Sequence, residues 1–294
     1  MNTEIINNET YNMKSDIIFK EVFSKPGNED ILIDFLEGIL DLKITKLEVL
    51  KDVSLMKEVA ENKYGVLDLR ATLDDNTLVI IEMQVKKYEY MPYRLTYYSG
   101  SFYSNQLKAG ENYTKLKNVI SICICDYSFL SNDEYVTPFE LIETIHRKYI
   151  LKNGQKFVFV ELPKFRKYEQ KGLINIDDKL TQWLLFIDGK STKGVEIAME
   201  KNKYIKKANE TREYLVGDEE FRRIIDLRKK SELDYNSSME ESLQKGIEQG
   251  IEQGSHEGKI QIAKEMLKDG FSIEKISKIT KLDISEIGKI KMSM

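Results

Sequence analysis

Two acids stand inside apolar runs where a carboxylate is costly to bury. Asp68 lies in VLDLRAT and Glu82 in TLVIIEMQV, with the polar cluster Asp74, Asp75 and Asn76 between them. Aliphatic and β-branched runs flanking a tight polar cluster predict a β-hairpin over Val66–Val85. Strand side chains alternate between faces. Asp68 therefore shares a face with Val66 and Arg70, and Glu82 shares one with Ile80 and Gln84. Leu67, Leu69 and Leu73, with Val79, Ile81, Met83 and Val85, take the other. A carboxylate among such neighbours needs a compensating cation, and a divalent metal is the obvious candidate.

The elements that must position these acids follow from periodicity. Ser15 can cap a helix whose apolar stripe is Ile18, Phe19, Val22 and Phe23, and Asp16 and Lys20 fall one turn apart on it. They could face a common site or form an ordinary i, i+4 surface pair. Lys25-Pro26-Gly27-Asn28 breaks the chain, EDILIDFLEGIL forms a second amphipathic helix, and residues 43–50 alternate as a short strand. After the hairpin, Pro92 opens a tyrosine-rich helix in which Arg94, Tyr98, Ser101 and Asn105 fall at roughly helical spacing. The tyrosines suit packing against a sheet, whereas Arg94 matches the geometry of a phosphate. VISICIC reads as an interior strand and FVFVELP, at 157–163, as a further strand ended by proline. The order helix, strand, hairpin, helix, strand indicates an α/β domain with a mixed sheet.

From Asp177 onward the pattern is helical, with two or three helices covering the domain or extending from it, and Trp183 anchoring one of them in the core. Gly246, Gly250, Gly254 and Gly258 recur every four residues. Each internal glycine costs a helix about 1 kcal/mol relative to alanine, so this stretch is a self-association helix, a linker or disordered. The tail reads as a helix stopped at Gly270, a helix capped by Ser272, a turn, and a last helix from Asp283. That is a helical hairpin with a weak helix-turn-helix signal.

Composition narrows the partners. The 294 residues are 41% hydrophobic, enough for one sizeable core with an appended part, and the formal charge of −4 carries no global basic excess. A nucleic-acid partner would have to meet a local patch. Cys123 and Cys125, two apart on one strand face, suit buried reduced thiols better than a disulfide. His146 and His256 are too few and too far apart for a histidine-rich zinc site. The absence of a long apolar run and the polar N-terminus predict a cytoplasmic protein with no membrane partner.

With Asp68 followed by Glu82-x-Gln84, the hairpin carries a D…E-x-Q variant of the acid…acid-x-lysine arrangement. The chain resembles the Rpn family of recombination-promoting nucleases and transposases, within the PD-(D/E)xK superfamily. The likeness rests on SDIIFKEVF, GVLDLRA with IEMQ, PYRLTYYSGSFYSNQLKAGENY, VFVELPKF and KGIEQGIEQG taken as a set. It implies a restriction-endonuclease-like mixed central sheet flanked by helices, with a C-terminal helical extension: a nuclease core over 1–175, helices over 176–240, and the glycine-spaced helix with its helical hairpin over 241–294. It further implies a transposase-associated, recombination-promoting DNA endonuclease dependent on Mg²⁺, with Mn²⁺ able to stand in, working as a homo-oligomer. Asp68 and Glu82 would hold the metal. Gln84 occupies the lysine position and can orient water but not neutralise charge, so Lys20 or Lys86 would supply the cation. Asp16 would be an accessory acid, and Arg94 and Lys86 would contact DNA. Two other readings stand beside this one: an inactive nuclease fold that binds DNA or a protein and self-associates through its tail, and a structural hairpin with acids at a sheet edge.

Overall fold

The computed structural model describes residues 10–50, 69–151 and 154–294. Helices α1, Asp16–Ser24, and α2, Glu29–Leu40, stand on either side of the Lys25–Asn28 break, where Gly27 takes φ +88°. Ser15 occupies the N-cap position of α1, but its side chain makes no capping hydrogen bond. Instead the Asp16 carboxylate accepts from the Ile17 amide at 2.9 Å, as suits an acid at the positive end of a helix.

The expected hairpin is present in its described part. Strand β2, Leu69–Leu73, pairs antiparallel with β3, Leu78–Gln84, with Leu69 opposite Ile81. Val85 lies beyond the end of β3 and is exposed, so it does not share the core face with Ile81 and Met83. The expected strand at 43–50 contracts to β1, Leu47–Val49, antiparallel to β2. Pro92 lies in the first turn of α3, Met91–Ser104, the crossover that leads to β4, Val119–Cys125. Every residue of β4 is buried, as its unbroken apolar run requires. Strand β5, Val136–Phe139, and β6, Gln155–Glu161, complete the sheet in the order β1-β2-β3-β4-β6-β5. The β3, β4 and β6 strands are parallel and β5 is antiparallel to β6. Pro163 does not merely end β6; it lies in the first turn of a further helix, α4, Leu162–Gln170.

The sheet separates two environments. One face carries Leu69, Ala71, Val79, Ile81, Met83, Ile122, Ile124 and Val160 and packs in one core with α1, α2, α5 (Lys179–Asp188) and α7 (Lys203–Gly217). Trp183 on α5 is fully buried against Phe23, Phe35 and Phe186, as expected of the sole tryptophan. Its indole N–H donates to Asp34 at 2.9 Å, and Asn202 and Lys179 satisfy the same carboxylate. The other face packs Cys123, Cys125 and Phe159 against Met91 and Leu95 of α3.

Helix α6, Thr192–Lys201, precedes α7, and α8 runs over Glu219–Lys268. By contact density the first compact unit ends at Arg228 and the second is Lys229–Met294. Within the second, Gly270 at φ +80° ends α8, Ser272 caps α9, Ile273–Thr280, and Asp283 precedes α10, Ile284–Ser293. Ala263, Ile276, Leu282, Ile287 and Ile290 form its small core. The four spaced glycines are helical and exposed, and a Cβ on any of them would meet nothing within 4 Å. No helix among the described residues is long and apolar enough to cross a membrane.

Truncating Trp183 removes the largest fully buried side chain and leaves Asp34 without its indole donor. Trp183→Ala should cost about 3–5 kcal/mol in urea unfolding, whereas Trp183→Phe should cost less by retaining ring packing.

Candidate active site

Alternation along β3 places Glu82 and Gln84 on the sheet face covered by α3, while Ile81 and Met83 point to the main core. Register carries that face across the parallel strands: Glu82 sits beside Cys123 and then Phe159, and Gln84 beside Cys125 and then Glu161. The Glu82 side chain is almost completely buried, at 1% exposure of the residue. Its Oε1 accepts from the Gln84 side-chain amide at 3.0 Å and lies 3.4 Å from Arg94 Nε. Arg94, one turn into α3, stacks its guanidinium 5.7 Å from the Tyr98 ring centroid. The floor consists of thiols: Cys123 and Cys125 sulfurs are 3.5 Å apart, both free and buried.

The electrostatics follow from this geometry. The Cys123 thiol is pushed well up, first by its hydrogen bond with Cys125, then by burial and the negative charge of Glu82, against which Arg94 acts weakly. Burial, then the two cysteines and Glu82, push the Tyr127 phenol far up as well. Thiol–thiol hydrogen bonding and loss of water around both groups are the main causes, and the neighbouring carboxylate adds to them. Among the described residues, Arg94 is a cation within 4 Å of the Glu82 carboxylate.

Residues 13–242 match the family model described as PD-(D/E)XK nuclease family transposase. The chain belongs to that family. No curated protein and no solved structure matches the chain. For a PD-(D/E)XK nuclease family transposase, the mixed sheet with flanking helices is the expected restriction-endonuclease-like arrangement, and nuclease descent points to DNA as the substrate. The match ends at residue 242, before α9 and α10 begin.

Among the residues singled out by sequence, the structure joins Glu82, Gln84 and Arg94. Asp68 lies outside the described residues. Asp16 and Lys20 belong to α1, whose apolar stripe packs on the opposite face of the sheet. Asp16 Oδ2 accepts from Arg228 at 3.4 Å, and Lys20 is half-buried one turn on. Lys86 is exposed, two residues beyond β3. Among the described residues no group of three or more His, Cys, Asp or Glu is placed to hold a metal ion.

Two buried charge clusters escaped sequence reasoning. Glu161, fully buried at the end of β6, accepts from the amides of Phe129 at 2.7 Å and Leu130 at 3.3 Å and pairs with Lys164. An acid closing an apolar run is the signal that singled out Glu82, and VFVELP carries it too. The second cluster joins Lys14, Asp126, Arg166 and Asp188. Arg166 Nη1 donates to Asp126 and Asp188 at 2.6 Å each, and the Asp126 amide donates to the Gln84 carbonyl at 2.9 Å. This cluster thus supports the end of β3 just beyond Glu82.

Burial alone would raise the Asp126 carboxyl, but hydrogen bonds from Arg166 and Lys14 and their charges outweigh it and hold it below its ordinary range. A depressed carboxyl contributes stability above its unfolded pKa and loses it as pH falls through the folded value. Asp126→Asn should therefore destabilise by about 1–3 kcal/mol at neutral pH. The gap from wild type should narrow as pH drops below about 4, which urea titrations across pH will measure.

Proposed function

We propose that the chain is a metal-dependent DNA endonuclease that hydrolyses phosphodiester bonds, with Asp68 and Glu82 as ligands of Mg²⁺ and Mn²⁺ able to stand in. The observation that carries this reading is Glu82: a carboxylate at 1% exposure, oriented by Gln84 and met by a guanidinium. A buried oxygen donor beside a positive charge fits a hard dication in place of that charge. Such an ion, when bound, polarises the phosphoryl oxygen and lowers the pKa of an attacking water.

The protein's own residues divide the remaining work. Gln84 fixes the Glu82 carboxylate through its amide N–H and keeps its carbonyl oxygen to orient water. Arg94, held over the site beside Tyr98, has the fork geometry to bind the scissile phosphate. Lys86, exposed past β3, contacts the backbone of DNA or supplies the cation that the glutamine does not. Lys20 and Asp16, on a helix packed against the other face of the sheet, stand outside this division of work. The catalytic part spans residues 1–175, the tail from about residue 241 assembles copies of a cytoplasmic homo-oligomer, and cutting promotes recombination.

One observation favours a second reading, a nuclease fold that binds DNA or a protein partner without cutting: Arg94 already compensates Glu82. The two readings separate in solution. Under the endonuclease reading, Asp68→Ala and Glu82→Ala abolish plasmid cleavage in Mg²⁺ with unchanged circular dichroism, and Mn²⁺ titrates calorimetrically into wild type but not into these variants. Wild type that gives no heat at millimolar metal supports binding alone.

Arg94→Ala tests the exchange. Without metal it should lose about 1–3 kcal/mol, since Glu82 keeps Gln84 but loses a guanidinium. Added Mn²⁺ should then raise its melting temperature more than it raises that of wild type.

A further inference from the structure

Between β5 and β6 the chain leaves the sheet as a hairpin arm over Phe139–Leu151. Ile142 pairs with Ile150, the Glu143 amide donates to the Tyr149 carbonyl at 3.0 Å, and the Leu151 amide donates to the Leu141 carbonyl at 2.8 Å. The arm is apolar yet uncovered: Ile145 at its tip is 83% exposed and Tyr149 72%, with Leu141 and Ile150 also more than half exposed. Exposed apolar groups gathered in one place mark an interaction surface.

The chemistry of the tip indicates what it meets. His146, Arg147 and Lys148 follow Ile145 in sequence, and all three are exposed. Glu143, the acid of the loop, turns its carboxylate inward to the amides of Ile145, His146 and Lys148 at 2.9–3.0 Å. The loop is thereby held in shape, and the arm's other acid, Glu140, pairs with Lys156 at 3.5 Å, which leaves Arg147 and Lys148 as the outward charges of the tip. Cations flanking an apolar wedge suit the minor groove of a duplex, where phosphates attract the former and a base step admits the latter. A second copy of the chain fits less well. Pro138 removes a backbone donor from the β5 edge, and two such tips would bring like charges together.

Register fixes where the arm departs. Strand spacings put β5 about 14 Å from β3 in the order β3-β4-β6-β5. Phe139 is level with Ile80 through Phe157 and Ser121, and the chain beyond it leads away from Glu82 and Gln84, so the arm would meet a duplex at a distance from the scissile phosphate.

Resting on the endonuclease reading above, we propose that the Phe139–Leu151 arm is a second DNA contact. His146, Arg147 and Lys148 engage phosphates of the duplex away from the scissile phosphate, while Ile145 and Tyr149 wedge into the minor groove.

The test uses the full chain in EDTA, where cutting does not compete, and a doubly labelled duplex of ~30 bp. Arg147→Ala with Lys148→Ala should weaken binding about tenfold and reduce the slope of log K against log salt by roughly 2. Ile145→Ala with Tyr149→Ala should leave that slope unchanged while removing the energy-transfer increase that reports bending. Sedimentation and melting should be unaltered, since the substituted side chains are exposed. Wild-type affinity, slope and bending in both variants would overturn the proposal. So would an Ile145→Asp chain that falls to a lower mass at unchanged DNA affinity, because the arm would then join copies of the protein. Failure of wild type to bind any duplex, with Mn²⁺ binding indifferent to Glu82→Ala, would instead sink the endonuclease reading on which the arm depends.

Discussion

A carboxylate sealed inside a sheet governs the organisation of this protein around Glu82. Removing an ion from water costs several kcal/mol even after relaxation, and a guanidinium about 3.4 Å away returns on the order of 5 kcal/mol at an effective dielectric near 20. The two terms nearly cancel. The pair therefore adds little net stability.

The remainder of the first unit keeps that arrangement in place. The apolar face of the sheet, with Trp183 and its aromatic neighbours, supplies the cohesion. The opposite face is left to Glu82, Gln84, two thiols and a helix that carries a cation over them. Beyond the end of β3, the Lys14–Asp126–Arg166–Asp188 cluster holds the backbone next to Gln84 with charges drawn from separate segments of the chain. Its charges are mutually satisfied by short ion pairs, whereas Glu82 faces Arg94 at 3.4 Å. In the second unit, a few buried aliphatic residues close α9 and α10 into a small core of their own, and the glycine stripe of α8 stays uncovered.

What was legible in the sequence was whatever depends on near neighbours. The hairpin, the buried strand VISICIC, the break at Lys25–Asn28 and the Gly270 stop follow from turn chemistry and periodicity, and the structure contains them. Less legible were β5, a half-exposed edge strand interrupted by Pro138, and α4, a short and mostly polar helix. Neither has an apolar pattern strong enough to announce itself. Ser15 was misjudged because its neighbour Asp16 offers a better acceptor to the same helix end.

By itself the sequence determined that Glu82 and Gln84 share a face opposite Ile81 and Met83, since alternation along a strand is a property of the backbone alone. It also determined that an acid would stand there among apolar residues and require a positive charge. Only the tertiary structure decided that Arg94 provides that charge, that Cys123 and Cys125 floor the site, and that Asp126 is braced by Lys14 and Arg166. Those choices depend on the register between β3, β4 and β6 and on where α3 crosses them, and long-range packing sets both.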